Sequence, residues 1–282
     1  MKKEPEKNPD PAHTIRIDPK DHAHHDDPRD PFESRQVICL IGRVKKDQLQ
    51  SIDSFIRDRQ LSDLDVMIAI PVDYANGAWR FAEQLSGLFA GTSDTPVESY
   101  VRHAIYFTPD NSTALLGKRL EELAKTVEDL GWPIDAIILN LSAWPGPSTL
   151  SDFHRQHPKL HLILKIDPKM FDQCHNFVAS VLRHLVGYKD GVATFILKPK
   201  NGLVADFGPD EIRELIGDPM AWKLDLAIAG LAGVRSIDSI RDFRRHYPGL
   251  SVYANRELCD KDGRIITDTA LKFIEGVMRR TS

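Results

Sequence analysis

Eight short runs rich in Val, Ile and Leu, each followed by a longer segment of helical spacing, repeat from Gln36 to the end of this chain. The runs are VICLIGRV (37–44), DVMIAIPV (65–72), HAIYFT (103–108), DAIILNL (135–141), LHLILKI (160–166), VATFILK (192–198), DLAIAG (225–230) and LSVYAN (250–255). Continuous apolar runs of this length suit strands buried on both faces, and the amphipathic segments between them suit crossover helices. The spacing predicts helices over 47–60, 78–90, 112–130, 149–157, 171–185, 209–216, 236–246 and 267–280, the third capped by Asp110 or Asn111. Eight β/α units ending on a helix that can close against the first predict a single (β/α)8 barrel, a TIM barrel. An open doubly wound sheet is disfavoured by the repeat count and by the lack of a dinucleotide-binding glycine fingerprint.

A barrel of this kind uses about 250 residues, so a chain of 282 has room for an extension. Residues 1–35, rich in Pro, Asp, Lys and His with few large apolar side chains, cannot offset the entropy of ordering and are expected to form a disordered tail before a barrel at 36–282. His22, His24, His25, Asp26 and Asp27 in that tail also read as a metal site; no preorganised geometry supports one, so neither metal nor cofactor is assigned. The net charge of -4 is made of interspersed signs, which argues against nucleic acid or an anionic membrane as partner. Cys39, Cys174 and Cys259 form neither a disulfide framework nor a CxxC spacing. No leader-like segment opens the chain and no apolar run approaches a membrane-spanning length. A soluble, cytoplasmic protein is expected, and the sequence carries no sign of its oligomeric state.

In such barrels chemistry sits at the C-terminal ends of the strands. The side chains that fall there are Cys39 and Arg43; Asp73 and Asn76; Tyr106 and Thr108; Asn140 and Ser142; Lys165 and Asp167; Lys198, Lys200 and Asn201; Gly230 and Gly233; and Tyr253, Asn255 and Arg256. Three lysines and glycine turns after successive strands suit an anion, because ammonium groups and exposed backbone N–H groups both hold phosphate. Each lysine also reads as a solvated rim residue, and each glycine as a tight turn. Cys39 carries two readings, a proton-transferring base and a buried apolar thiol. The AWPGP segment at 143–147 reads either as packing or as a ligand rim, whereas His154, His157 and His161 fall on the side away from the expected site.

The same stretches, in the same order, resemble phosphoribosylanthranilate isomerase and the ribulose-phosphate-binding barrels. The resemblance rests on IGRVKKDQL, VMIAIPVDYANG, ILNLSAWPGP with HPKLHLILKI, FILKPKNG, and IAGLAG with LSVYAN. It implies a phosphate cradle from Gly202, from Gly230 and Gly233, and from Ala254, Asn255 and Arg256. The family uses a cysteine base after strand one and an aspartate acid after strand six. Aligning Gly42 with the glycine that follows the family's cysteine puts Ile41 at the base position, with Cys39 two residues earlier, and Lys198 at the acid position. The expectation is therefore a sugar-phosphate-binding barrel, an isomerase or lyase of altered chemistry. Lys198 and Cys39 are its catalytic candidates, Asn140 and Arg43 join the cradle as ligand-binding candidates, and a phosphorylated small molecule is its partner. The alternative is a non-catalytic barrel serving as ligand sensor or interaction module.

Overall fold

The eight apolar runs are the eight parallel strands of a closed barrel. In the computed structural model these are β1 (Gln36–Ile41), β2 (Leu64–Ala75), β4 (Val101–Thr108), β5 (Ala136–Asn140), β6 (His161–Ile166), β7 (Thr194–Leu197), β8 (Leu226–Leu231) and β9 (Ser251–Ala254). A two-residue β3 (Ala78–Trp79) pairs antiparallel with the end of β2. The structure describes residues 36–59, 61, 64–75, 78–79, 101–109, 113–174, 178–197, 224–231, 237–246, 250–254 and 256–278, all within the unit Ser34–Ser282. The tail and the helix predicted at 209–216 lie outside them.

Closure shows in the pairing, since β1 is bonded to β2 on one side and to β9 on the other. Its stagger follows from one row of partners. From Lys165 the row runs to Asn140, then, continuing the Phe107–Leu139 register, to Thr108 and to Asp73. The other way it runs to Ile196, Ala227 and Ser251, then, continuing the Ile38–Val252 register, to Val37 and to Asp65. The row thus meets β2 at residue 73 from one side and residue 65 from the other. That eight-residue offset is the shear that tilts the strands of a (β/α)8 barrel.

Alternation along each strand sends side chains to two different interiors. Ile38, Leu40, Ile68, Phe107, Leu139, Leu164 and Phe195 join Leu120, Leu123, Phe153 and Phe273 in the layer between strands and helices. The opposite parity, including Cys39, Met67, Ile138, Ile163, Ile196 and Tyr253, is also buried but stands outside that layer, facing the barrel lumen. Each fully buried Phe or Leu in the outer layer contributes roughly 1.5–3 kcal/mol from apolar burial. In the lumen a register row of Ala69, Ala104 and Ala136 keeps three strands small. Met67, Ile138, Ile163, Ile196 and Tyr253 fill much of the rest of the lumen, with small residues again at Ala227 and Ala229 on β8.

The helices follow from the amphipathic segments. They are α1 (Lys46–Asp58), α2 (Leu116–Asp129), α3 (Pro147–Gln156), α4 (Pro168–Gln173), α5 (Val178–Val186), α6 (Ile237–His246) and α7 (Thr267–Met278). In α2 the buried residues Leu116, Leu120, Leu123, Ala124 and Val127 recur at three and four positions, one stripe against the strands. Its entry is a 3-10 turn over Thr113–Leu115; Asp110 and Asn111, the expected caps, lie outside the described residues. Pro at N1 and the Asp167 carboxylate, which accepts the Lys169 N–H at 3.1 Å, start α4.

Three expectations are corrected. The helix predicted at 171–185 is two helices, of which the first begins at Pro168. The helix predicted from Ala78 does not start there, because Ala78–Trp79 folds back on Tyr74–Ala75 as β3. The strand read as ending at Gly230 continues to Leu231, so Gly230 does not border the turn after it. It lies inside β8, at a bulge where Ala229 pairs with Tyr253 and Leu231 with Ala254, and a side-chain-free residue accommodates that extra step. Among the described residues, no helix is long and apolar enough to cross a membrane.

Candidate functional site

The C-terminal ends of β4, β5 and β6 bring Tyr106, Thr108, Asn140 and Lys165 together. All four occupy lumen-facing parity, and Ile138 and Ile163, two residues earlier on β5 and β6, form an apolar floor beneath them. Lys165 is only 6% exposed. Its Nζ donates to Tyr106 Oη and to Asn140 Oδ1, both at 2.7 Å. The Asn140 Nδ2 in turn donates to Thr108 Oγ1 at 3.2 Å. An ammonium has no lone pair, so Lys165 settles which end of the Asn140 amide faces it. Thr108 is exposed and Tyr106 half-buried, so the network reaches from the lumen to the barrel mouth.

Burial, with the charge of Asp167, pushes the Tyr106 phenol far above its ordinary range, so it keeps its proton at any physiological pH. Cys39, fully buried on β1, is held well above the usual thiol value by desolvation, which outweighs its hydrogen bond with the Ala69 backbone. The neutral thiol is the form present, and a neutral thiol is a poor base. Tyr253, next to Cys39 in register, is likewise pushed up by burial, and its buried hydroxyl has no hydrogen-bond partner among the described residues.

Other expected site residues fall elsewhere on the barrel. Arg43 follows β1 with an exposed side chain, while its backbone binds a hairpin from the loop after β9: Arg43 N–H donates to Gly263 O and Ile265 N–H donates to Arg43 O, both at 2.8 Å. Ile41, at the base position, is buried, and its carbonyl accepts from Cys259 Sγ. Ala254 turns its methyl into the outer layer, leaving only its backbone for a ligand. Arg256 opens a 3-10 turn, Arg256–Leu258. Asn76, Lys198, Lys200, Asn201, Gly202, Gly233 and Asn255 lie outside the described residues.

The AWPGP loop is used for packing. Trp144 Nε1 donates to Met170 O at 3.2 Å, the Trp144 ring lies 4.2 Å from that of His184, and Tyr188 Oη donates to Pro145 O at 2.6 Å. His157 pairs with Glu121 and Glu128, and His161 opens β6 at its N-terminal end, so both stand away from the mouth as expected. Among the described residues, no group of three or more His, Cys, Asp or Glu is placed to hold a metal ion.

Strand-end position alone marked Tyr106, Thr108, Asn140 and Lys165 separately. The convergence of Lys165 with partners 59 and 25 residues away was not visible. The signal the sequence offers is the clustering of polar residues near the C-terminal ends of otherwise apolar strands; it does not give the parity, since His103 is buried on the opposite face of β4.

No family model and no curated protein matches this chain. Among solved structures it is similar to phosphoribosylanthranilate isomerase from Thermotoga maritima, at 15% identity and a TM-score of 0.50, over 86% of this chain and 98% of that one. A second similar structure is a phosphoribosylanthranilate isomerase in complex with reduced 1-(o-carboxyphenylamino)-1-deoxyribulose 5-phosphate, at 14% identity, a TM-score of 0.50 and the same shares of the two chains. At this identity the likeness is one of fold, and it agrees with the closed barrel derived from the register.

Proposed function

We propose that this barrel, which shares its fold with phosphoribosylanthranilate isomerase, binds a phosphorylated small molecule of the sugar-phosphate class at its C-terminal mouth. The observation that carries the reading is Lys165, a nearly buried cation fixed by Tyr106 and Asn140 where barrels of this fold place their chemistry. The glycine bulge at Gly230 and the residues after β9, Ala254 to Arg256, are proposed as the phosphate end, with Gly202 and Gly233 joining them and Arg43 on the neighbouring rim. The network of Lys165, Asn140, Tyr106 and Thr108 holds the other end. The similar structure with a ribulose phosphate derivative supports that class of ligand.

The chemistry is isomerase- or lyase-like with a changed acid and base. Lys198 is proposed as a proton-transferring or electrostatic residue, because it follows β7 where the family resemblance puts the acid. Cys39 is not given the base role, since burial holds its thiol protonated. Calorimetry with ribose 5-phosphate against ribose tests the binding reading, and equal heats for the two would sink it. A ligand at a hundred times its Kd adds about 2.7 kcal/mol of stability, so a thermal shift confirms any site found. Ile41 at the base position and the protonated Cys39 favour a second reading, a non-catalytic ligand sensor. It requires tight binding with no turnover of phosphoribosylanthranilate or other pentose phosphates, and any product dependent on Lys198 would exclude it.

A further inference from the structure

The direction of the hydrogen bonds around Lys165 assigns a use to the two hydroxyl groups beside it. Lys165 Nζ donates to Tyr106 Oη, so the phenol's own proton points elsewhere than to the lysine. Lys165 also donates to Asn140 Oδ1, which turns the Asn140 Nδ2 toward Thr108; that nitrogen can only donate, so Thr108 Oγ1 accepts and its own proton is also directed away. One cation therefore stands behind two hydroxyl donors, reaching Tyr106 directly and Thr108 through the amide. Chains of this kind polarise one another, and each hydroxyl becomes a stronger donor. Tyr106 remains a phenol at any physiological pH, and both hydroxyl-bearing residues retain solvent access at the mouth.

We infer that Tyr106 and Thr108, backed by Lys165 through Asn140, form an oxyanion-binding pair for the non-phosphate end of the ligand. The group it takes is a carbonyl oxygen as that oxygen gains charge, or a carboxylate that imitates it. Donors held in advance where charge develops are worth more than the same donors in water, because no reorganisation is needed when the charge appears. Ile138 and Ile163 below the network keep the site's floor apolar, which strengthens each charge-assisted bond. Asn140 and Lys165 act as positioning residues behind the two donors. The inference rests on the reading of the mouth as a phosphate-ligand site and adds what that ligand carries at its other end.

The test uses the full chain and two phosphorylated probes that differ at that end: 2-phosphoglycolate, with a carboxylate, and 2-hydroxyethyl phosphate, with a neutral hydroxyl. By calorimetry, 2-phosphoglycolate should bind about tenfold or more tightly, the ratio expected for hydrogen bonds to a charged group. Tyr106→Phe and Thr108→Val, both near-isosteric, should erase most of that preference, read as the ratio of the two affinities within each variant; a melting curve for each variant verifies folding. Equal affinities in the native protein, or a preference that survives both substitutions, would overturn the oxyanion pair while leaving phosphate binding intact. If neither phosphate compound binds but glycolate does, in a Tyr106-dependent way, the phosphate reading falls and the oxyanion pair stands. Absence of binding by all three probes overturns both.

Discussion

Cys259 Sγ donates to the carbonyl oxygen of Ile41 at 3.4 Å, and this contact lays the hairpin after the last barrel strand across the tip of the first. The hairpin is tied by the Cys259–Ile265 and Arg43–Arg264 bridges, and Gln48 at the start of α1 donates to Ile265 O at 2.8 Å. Its turn depends on Asp260, whose carboxylate accepts the N–H groups of Asp262 and Arg264, and on Gly263 at a φ of 74°. Where the resemblance would put a catalytic base, this chain has a packed joint.

Gly42 is the tightest point of that joint. A methyl on it would meet Cys259 Sγ at 2.7 Å, Ile265 Cγ1 at 2.8 Å and Gly263 O at 3.3 Å. Gly42→Ala is expected to cost roughly 1–3 kcal/mol, the range for overpacking. Urea unfolding of the variant measures it; an unchanged midpoint would show that the hairpin yields freely.

His157 should give stability a pH dependence of definite sign. Burial alone would lower its pKa, but hydrogen bonds to and charges on Glu121 (2.8 Å) and Glu128 (3.1 Å) outweigh it and hold the folded-state value above the ordinary one. A raised folded-state pKa means the contribution is fully present below the unfolded value, about 6.5, and is lost as pH rises through the folded value. Both glutamates are partly exposed, which screens the effect and keeps it small. Melting curves from about pH 5 to pH 8 should show a decline in the native chain that is absent in His157→Gln; a decline of the same size in both would assign it to other groups.

Asn140→Asp replaces the neutral acceptor beside Lys165 with a carboxylate at the barrel mouth. The fold should tolerate it, because the new charge faces a cation 2.7 Å from the present oxygen. An anionic ligand should bind roughly tenfold more weakly, since a like charge now stands in its path and neutralises the lysine. Titration with ribose 5-phosphate reads the change, and undiminished affinity would place the ligand away from Asn140.

Cys39 should behave as a protected, neutral thiol. Iodoacetamide is expected to label it only after unfolding, given its complete burial and raised pKa. Cys259, with its thiol pushed up to about 11, should also react slowly in the native state. Mass mapping of native and denatured samples distinguishes the sites. Cys39→Ala should retain any turnover that the native protein shows, whereas a loss on the order of 100-fold or more would mark it as a proton-transferring residue after all.

Strand existence was legible throughout, because runs such as LHLILKI and DAIILNL are apolar on both faces and have no other stable home than a doubly covered sheet. Helix ends were less legible where special geometry intervened. Ala78–Trp79 reads as the start of a helix yet pairs as β3, and Gly230 reads as a strand's end yet sits in a bulge inside β8.

By itself, the sequence determined the eight-fold β/α repeat, the order of the units and the places where polar side chains interrupt apolar strands, because these follow from local periodicity. Tertiary structure alone decided the closure of β1 on β9, the eight-residue stagger, and which parity of each strand faces the lumen. Those properties depend on the register between segments far apart in the chain, and local patterning carries no information about register once both faces of a strand are apolar. Lys165 meets Tyr106 and Asn140 for that reason: closure and stagger bring three strand ends to one level, and no spacing within any single strand encodes it.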